Sequence, residues 1–330
     1  MDNDNDNYNI VILDNTNQMK KQKYIHFINN NSILIFNTKD DILLLIYGGE
    51  KSIISYNIKD DKEIIELKNA HNINIYNFYH YYDKMNKIDY LISSSRDLNI
   101  KLWNIENYEC LLDLRDIYDH DLLKSSCILN NNNKNYILTC SARINNPILV
   151  FDFKGKEIEK VEESFGEAEF IDSYFDKKLN KNFIITGYKN ESKSFDFDKC
   201  KLYRKYNDSS KEKISTITIF EDNEKIKFIE TSYDNYIRIW DFHEGILLNK
   251  INVGHPINCV CLWDDKTLYF NGDSNELKYF DYKNFKIYEI PIKFENKIVC
   301  IKKIKEHPKY GDCLILKEFD IFKYLFKNKS

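Results

Sequence analysis

An apolar residue followed by a polar one recurs along this 330-residue chain at nearly constant intervals. The pairs are Tyr56-Asn57, Trp103-Asn104, Phe151-Asp152, Phe195-Asp196, Trp240-Asp241 and Phe280-Asp281, stepping by 47, 48, 44, 45 and 40 residues. Leu13-Asp14 lies 43 before the first anchor, and Phe326 lies 46 after the last, with Asp320 six positions ahead of it. A period of this length is that of one supersecondary unit that cannot bury its apolar face alone and stacks on its neighbours.

The units fill with short strands. Around Trp103 they fall at 73–79, 88–94, 98–105 and 109–115; around Trp240 at 214–221, 226–232, 235–241 and 246–252; around Tyr56 at 32–37, 42–47, 52–58 and 63–67. Polar turn clusters separate them, and no stretch keeps a helical period over a dozen residues. Abundant Ile, Tyr and Phe with little Ala favour strands. The best-preserved stretch is Leu91 to Asn104, LISSSRDLNIKLWN, with a looser copy at Phe228 to Asp241, FIETSYDNYIRIWD. Asp97 and Asp234 each precede the Trp by six.

Composition bounds the class. At 43% hydrophobic and 15% aromatic residues, the chain has a core to bury, so residues 8–330 read as one globular domain behind a disordered polar tail at 1–7. A net charge of −4 asks for neither nucleic acid nor an anionic membrane. The longest apolar run, Ile42 to Tyr47, is far short of the ~20 residues of a membrane helix. The start, MDNDNDNYN, is unlike a secretory signal. Eight cysteines lack a CxxC pair, and Cys259 and Cys261 share one face of a strand, the usage of a cytoplasmic or nuclear protein with reduced, buried thiols. The many Asn residues are read as compositional bias.

The pattern resembles the WD40 repeat family of β-propellers over nearly the whole chain, most closely at the Trp103 and Trp240 units. The resemblance implies an all-β, seven-bladed propeller of four-stranded antiparallel blades. Strands are named a to d, with strand a lining the central channel. Six units are complete. The resemblance implies a seventh built from both chain ends, with strand a at 296–304, b at 312–317, c at 320–326 and d at 24–28, leaving 8–14 as an edge strand. The alternative takes c and d from the N-terminus. Such pairing would remove the open sheet edges. The family's buried relay carries over to His71, Ser93 or Ser95, Asp97 and Trp103. The Trp240 unit keeps Asp234 and Ser232 without a His. The Phe280 unit keeps Gly254-His255, with Asp273 one position out of register and Phe in place of Trp.

No catalytic, cofactor or metal site emerges. His71, Asp97 and Ser93 have the composition of a hydrolase triad, but no nucleophile elbow accompanies them, and the relay accounts for them. Asp119-His120-Asp121 carries metal-ligand types without a second cluster at ligand spacing, so a solvated loop is expected. His26, His80, His243 and His307 are isolated. No phosphate-binding GxxxxGK[ST] or GxGxxG occurs among nine glycines, and Gly48-Gly49 needs only turn geometry. Phosphoinositide-binding propellers carry a Phe-Arg-Arg-Gly motif, and here no Arg-Arg pair exists. Propellers on cullin ligases often place Arg two after Trp-Asp, where this chain has Glu106 and His243. Strands a read NINIYNF, KISTITIF and INCVCLW, without the carboxylate or His cluster that a channel hydrolase needs.

The resemblance implies a non-catalytic scaffold whose partners are other proteins, bound across the face that carries the b–c turns and d–a loops. No membrane, nucleic acid or small-molecule substrate is expected. The b–c turns hold Arg96, Arg143, Tyr188, Tyr233 and Tyr236, residue types that anchor interfaces. The d–a loops add Asp119–Asp121, Glu162–Glu167 and Asp208–Lys213. The alternatives are a substrate-recognition subunit of a ubiquitin ligase or other large assembly and, less favoured, a propeller hydrolase.

Overall fold

The computed structural model describes residues 8–12, 33–48, 51–119, 121–143, 145–161, 164–208, 210, 212–222, 224–264, 267–272, 275–281, 284–307, 309–318 and 321–327. The polypeptide begins with strand β1 (Tyr8–Ile12). Blade 1 then holds β2 (Ile33–Asn37), β3 (Leu43–Gly48), β4 (Ile53–Asn57) and β5 (Lys62–Leu67). Blade 2 holds β6 (Ile75–Asp83), β7 (Ile88–Ser95), β8 (Ile100–Asn104) and β9 (Glu109–Leu114). Blade 3 holds β10 (Leu123–Asn131), β11 (Lys134–Ser141), β12 (Ile148–Asp152) and β13 (Glu157–Val161). Blade 4 holds β14 (Ala168–Asp176), β15 (Lys181–Tyr188), β16 (Ser192–Asp196) and β17 (Lys201–Tyr206). Blade 5 holds β18 (Ile214–Asp222), β19 (Lys225–Ser232), β20 (Tyr236–Asp241) and β21 (Leu247–Asn252). Blade 6 holds β22 (Ile257–Leu262), β23 (Thr267–Gly272), β24 (Glu276–Asp281) and β25 (Lys286–Lys293). Blade 7 contains β26 (Ile298–His307), β27 (Gly311–Glu318) and β28 (Ile321–Lys327), paired in that order.

Seven four-stranded antiparallel sheets make this a seven-bladed β-propeller. In the three units spelled out above, the b and c strands fall within two residues of the sequence reading. Strand a of blade 2 runs on to Asp83, because the aromatic run after Phe78 continues to pair with β7. The strand expected at 24–28 lies outside the described residues, as do Asp273 and Asp320.

The core is seven separate cores, each between two blades. Leu43, Leu45 and Tyr47 of β3 face blade 7, whereas Leu44 and Ile46 of the same strand face blade 2. Alternation along a strand is thus alternation between neighbours, and strand b is buried on both faces. That is why it reads LLLIYG rather than as an apolar-polar alternation.

The recurring pair has two jobs. Its apolar member packs on the preceding blade: Tyr56 on blade 7, Trp103 on blade 1, Phe151 on blade 2, Phe195 on blade 3, Trp240 on blade 4 and Phe280 on blade 5. Its polar member caps the c–d turn. Asn57, Asn104, Asp152, Asp196, Asp241 and Asp281 each accept a backbone N–H two or three residues on, at 2.9–3.2 Å. Short Asx side chains do this because their carbonyl oxygen reaches the backbone just ahead. The same turns place Asp61, Tyr108, Gly155, Cys200, Gly245 and Phe285 at positive φ. Only two are glycine. At Tyr108 the hydroxyl reaches Ser55 Oγ of blade 1 at 2.6 Å, a tie that offsets the backbone cost.

Strand a carries a second repeated device. In blades 2 to 7 its register shifts around the second residue, leaving Tyr76, Lys124, Glu169, Ser215, Asn258 and Val299 as bulges. A bulge re-aims its side chain out of the ladder.

The two jobs of the pair are separable. Phe195→Ala is expected to lower unfolding free energy by about 3–5 kcal/mol through a core cavity. Asp196→Ala is expected to cost about 1 kcal/mol through the lost cap. Urea denaturation of both variants checks this, and equal losses would contradict the assignment.

Candidate interaction face

The upper face of the ring carries the b–c turns and d–a loops. Four of its turns are stitched to the segment leading into strand a by equivalent backbone hydrogen bonds. Arg96 N donates to Asn74 O at 2.9 Å; Ala142 to Leu122, Lys189 to Glu167 and Tyr233 to Lys213 each do so at 3.0 Å. The loops of blades 2 to 5 are therefore held in place without a ligand.

Beneath the first of these stitches lies the relay. The His71 ring meets both Asp97 oxygens from Nδ1 at 3.1 Å. With Nδ1–H donating there, Nε2 accepts from the Ser93 hydroxyl at 2.7 Å, and the Trp103 indole N–H donates to the same Ser93 oxygen at 2.9 Å. Ser93 is the relay serine. Ser95 instead donates to the carbonyls of Ile73 and Asn74. Burial works to raise the Asp97 carboxyl, but hydrogen bonds from His71 and the Asn72 and Asn99 amides outweigh it and hold it at about 2.

Blade 5 fills the equivalent space differently. Asp234 keeps Ser232, which donates to it at 2.6 Å, and also accepts from Tyr236 N at 3.2 Å and from Arg238, a buried side chain of strand c. Arg238 also donates to Asp208 O at 3.0 Å and lies 3.7 Å from buried Glu230. Glu230 accepts from Ser192 Oγ of blade 4 at 2.6 Å and from Ser210 N at 3.1 Å. A guanidinium shared by two carboxylates replaces the imidazole. The Trp240 indole nitrogen, unlike that of Trp103, is buried with no hydrogen-bond partner among the described residues. In blade 6, His255 lies against Gly272, where an added Cβ would come within 2.0 Å of its Nδ1. His255 Nδ1 is 3.2 Å from Pro256 O.

The face candidates separate. Arg96 is exposed, and its guanidinium has no partner among the described residues. Arg143 is exposed and paired with Asp121 at 3.2 Å. Tyr233 is 40% exposed. Tyr236 is half-buried between Arg238 and Lys250, 5.3 and 4.9 Å from its ring centroid. Tyr188 does not belong to the face. It is 2% exposed, donates to Ser164 O at 2.6 Å and fills the space that a side chain at Gly166 would take. As the last residue of β15 it is still inside the blade, which its sequence position next to a polar turn concealed. Asp121 accepts from Asn146 as well as pairing with Arg143, and His120 lies outside the described residues, as do parts of the loops at 162–167 and 208–213.

Sequence reading missed three groups. Exposed Ile73 stands on the d–a loop leading into blade 2, and within the 162–167 loop named from the sequence Phe165 is an exposed apolar side chain. The channel mouth carries a polar arc from the bulges: Lys124 lies 5.4 Å over the Tyr76 ring, and Lys124 and Lys213 share Glu169 Oε2 at 3.4 and 3.1 Å. Deeper on strand a of blade 4, burial pushes Asp172 up to about 6, against hydrogen bonds from Ser173 N–H and the Tyr79 hydroxyl. Strand a thus does carry carboxylates, and the three segments quoted from the sequence happened to omit β14. The discounted asparagines also have work: Asn182 bonds Asn130 O and Asn131 across blades 3 and 4, and Asn135 bonds Asp83 across blades 2 and 3.

All eight cysteines are free thiols. Burial pushes Cys261 up to about 12 and Cys300 to about 11, so neither is a nucleophile at neutral pH. No model of a protein family matches the chain, and no curated protein matches it. The class defined by the fold is therefore the seven-bladed β-propeller.

Two carboxyls give stability opposite pH signatures. Asp97 is depressed on folding, so its contribution is complete above its ordinary 3.8 and is lost as pH falls toward about 2. Asp172 is raised, so its contribution is complete below 3.8 and is lost as pH rises through about 6. Asp172→Asn should thus exceed the wild type by about 1–3 kcal/mol at pH 8 and match it near pH 3. Asp97→Asn should be the less stable protein at pH 7, with a gap that narrows below pH 4. Melting temperatures from pH 3 to 8 read both. Arg238→Met, which strands two carboxylates, is expected to cost about 3–5 kcal/mol.

Proposed function

We propose that the chain is a WD40-like propeller serving as a non-catalytic platform on which other proteins assemble, in the cytoplasm. The observation that carries this reading is the set of backbone stitches under the upper face of blades 2 to 5. They hold exposed Arg96, Arg143, Phe165 and Tyr233 in place before any partner arrives. Little backbone ordering entropy is then spent on binding; Tyr gives wide contact with two rotatable bonds, and Arg gives a planar fork of hydrogen-bond donors. The His71–Asp97–Ser93–Trp103 arrangement supports the WD40-like assignment, and the eight free thiols, five of them buried, support a reducing compartment. A substrate-recognition role in a larger assembly is a special case of the same reading.

Pairing of the chain ends in one blade belongs to this proposal. It rests on the register of Tyr8 opposite Lys327 through Ile12 opposite Lys323. A chain lacking residues 1–12 would expose the edge of β28, with a lower melting temperature and concentration-dependent self-association by light scattering.

The platform is tested by affinity capture followed by mass spectrometry. Arg96→Ala/Arg143→Ala/Tyr233→Ala, with an unchanged melting temperature, is expected to lose most partners that the wild type retains. Full retention of every partner would overturn the assignment of the face.

A further inference from the structure

Within that face, blade 2 presents a more specific constellation. Ser95 Oγ donates to the carbonyls of Ile73 and Asn74, and Arg96 N donates to Asn74 O. The segment leading into strand a and the b–c turn are thus one hydrogen-bonded unit. The relay clamps both halves from below, because Asp97 accepts from Asn72 N at 2.8 Å and from the His71 ring. Ile73 is 43% exposed on this unit. Arg96 stands beside it with an unpaired guanidinium among the described residues. Tyr76 is the bulge residue of strand a, and the Lys124 ammonium lies 5.4 Å over its ring.

The charge here is incompletely matched. Arg143 has Asp121, Lys189 has Glu167 and Lys193 has Glu191. Lys124 must share Glu169 with Lys213, both ammoniums approaching one oxygen, and Arg96 has no carboxylate among the described residues. Around the exposed Ile73 and the half-buried Tyr76, Arg96 and Lys124 thus leave positive charge incompletely matched among the described residues.

We propose that this corner, formed by Ile73, Tyr76, Arg96 and Lys124, is the docking site for an acidic segment of a protein partner. A partner carboxylate takes the fork of Arg96 in two parallel hydrogen bonds, a geometry that lysine lacks. A second acidic group approaches Lys124 and completes the half-neutralised Glu169 cluster. An apolar side chain between them covers Ile73 against Tyr76 and displaces water from the carboxylate–guanidinium pair, which strengthens it. This inference rests on the platform reading and names the partner chemistry of one part of it.

Three fluorescein-labelled nonapeptides serve as probes: one alternating Glu with Leu and Phe, the same peptide with Lys for Glu, and nona-glutamate. Fluorescence anisotropy at low salt is expected to show saturable binding of the Glu/Leu/Phe peptide alone. Arg96→Glu should weaken it at least tenfold and Ile73→Ser about three- to fivefold. Lys286→Glu, on an outer strand of blade 6, should change it less than twofold. Equal melting temperatures separate these effects from misfolding. Equal affinity of the Lys peptide or of nona-glutamate, an unaltered affinity in Arg96→Glu, or no binding of the acidic peptide would each overturn the proposal. Failure here beside successful capture of partners through the upper face would leave the platform standing; failure of the capture experiment would remove both.

Discussion

Burial of each blade on both faces is the constraint on which the rest depends. A four-stranded sheet with two apolar faces has no stable existence alone, so each blade is stable only between two others. The alternation of Leu43, Leu45 and Tyr47 toward one neighbour with Leu44 and Ile46 toward the other makes the constraint concrete. It accounts for the size of the anchors, since a Trp or Phe on strand c must fill the wedge that opens toward the outer rim. It also accounts for seven discrete apolar clusters in place of one central core. A defect in one wedge loosens two blades directly and the others only through the ring.

Polar groups inside those wedges are satisfied in more than one way. Blade 2 uses a His–Asp–Ser–Trp relay in which every member has a partner. Blade 5 uses a buried guanidinium and two carboxylates, and its Trp240 nitrogen stays unpaired among the described residues. The ionic version binds blade 4 through the Glu230 and Ser192 side chains, whereas the relay histidine reaches blade 1 through its backbone, His71 N donating to Lys51 O at 3.0 Å. Its energetic cost is the desolvation of three charged groups, which only near-complete hydrogen bonding offsets. Blade 6 tolerates its histidine by placing glycine opposite. The common requirement is the filling of one volume at the top of each wedge, and imidazole, guanidinium and a bare glycine surface meet it by different chemistry.

Much of the architecture could be read before any coordinates. The period locates the blades, and the b and c strand boundaries of the units around Tyr56, Trp103 and Trp240 followed within a residue or two because turns and apolar runs are local properties. Asp97 and Trp103 were recognisable through the spacing they share with Asp234 and Trp240. The face was less readable. Tyr188 stands beside a polar turn as Tyr233 does, yet a difference of one residue in where the strand ends puts one inside a blade and the other in solvent. The bulges that present Tyr76, Lys124 and Glu169 leave no mark in composition, because each is one extra residue in a strand of ordinary sequence.

The sequence by itself determined the number of blades and, in blades 1 to 6, the anchor that each lays on its predecessor and the Asx residue that caps its c–d turn. These depend on neighbours a few positions away and on a period repeated along the chain. The tertiary structure alone decided that Arg238 would stand in for a histidine, that Glu230 would reach Ser192 in another blade, and that Arg96 would be left unpaired among the described residues beside Ile73. The reason is physical. The partners of these groups lie tens of residues away and are brought together only by the stacking of blades, and whether a charge is matched depends on distances that no local pattern encodes.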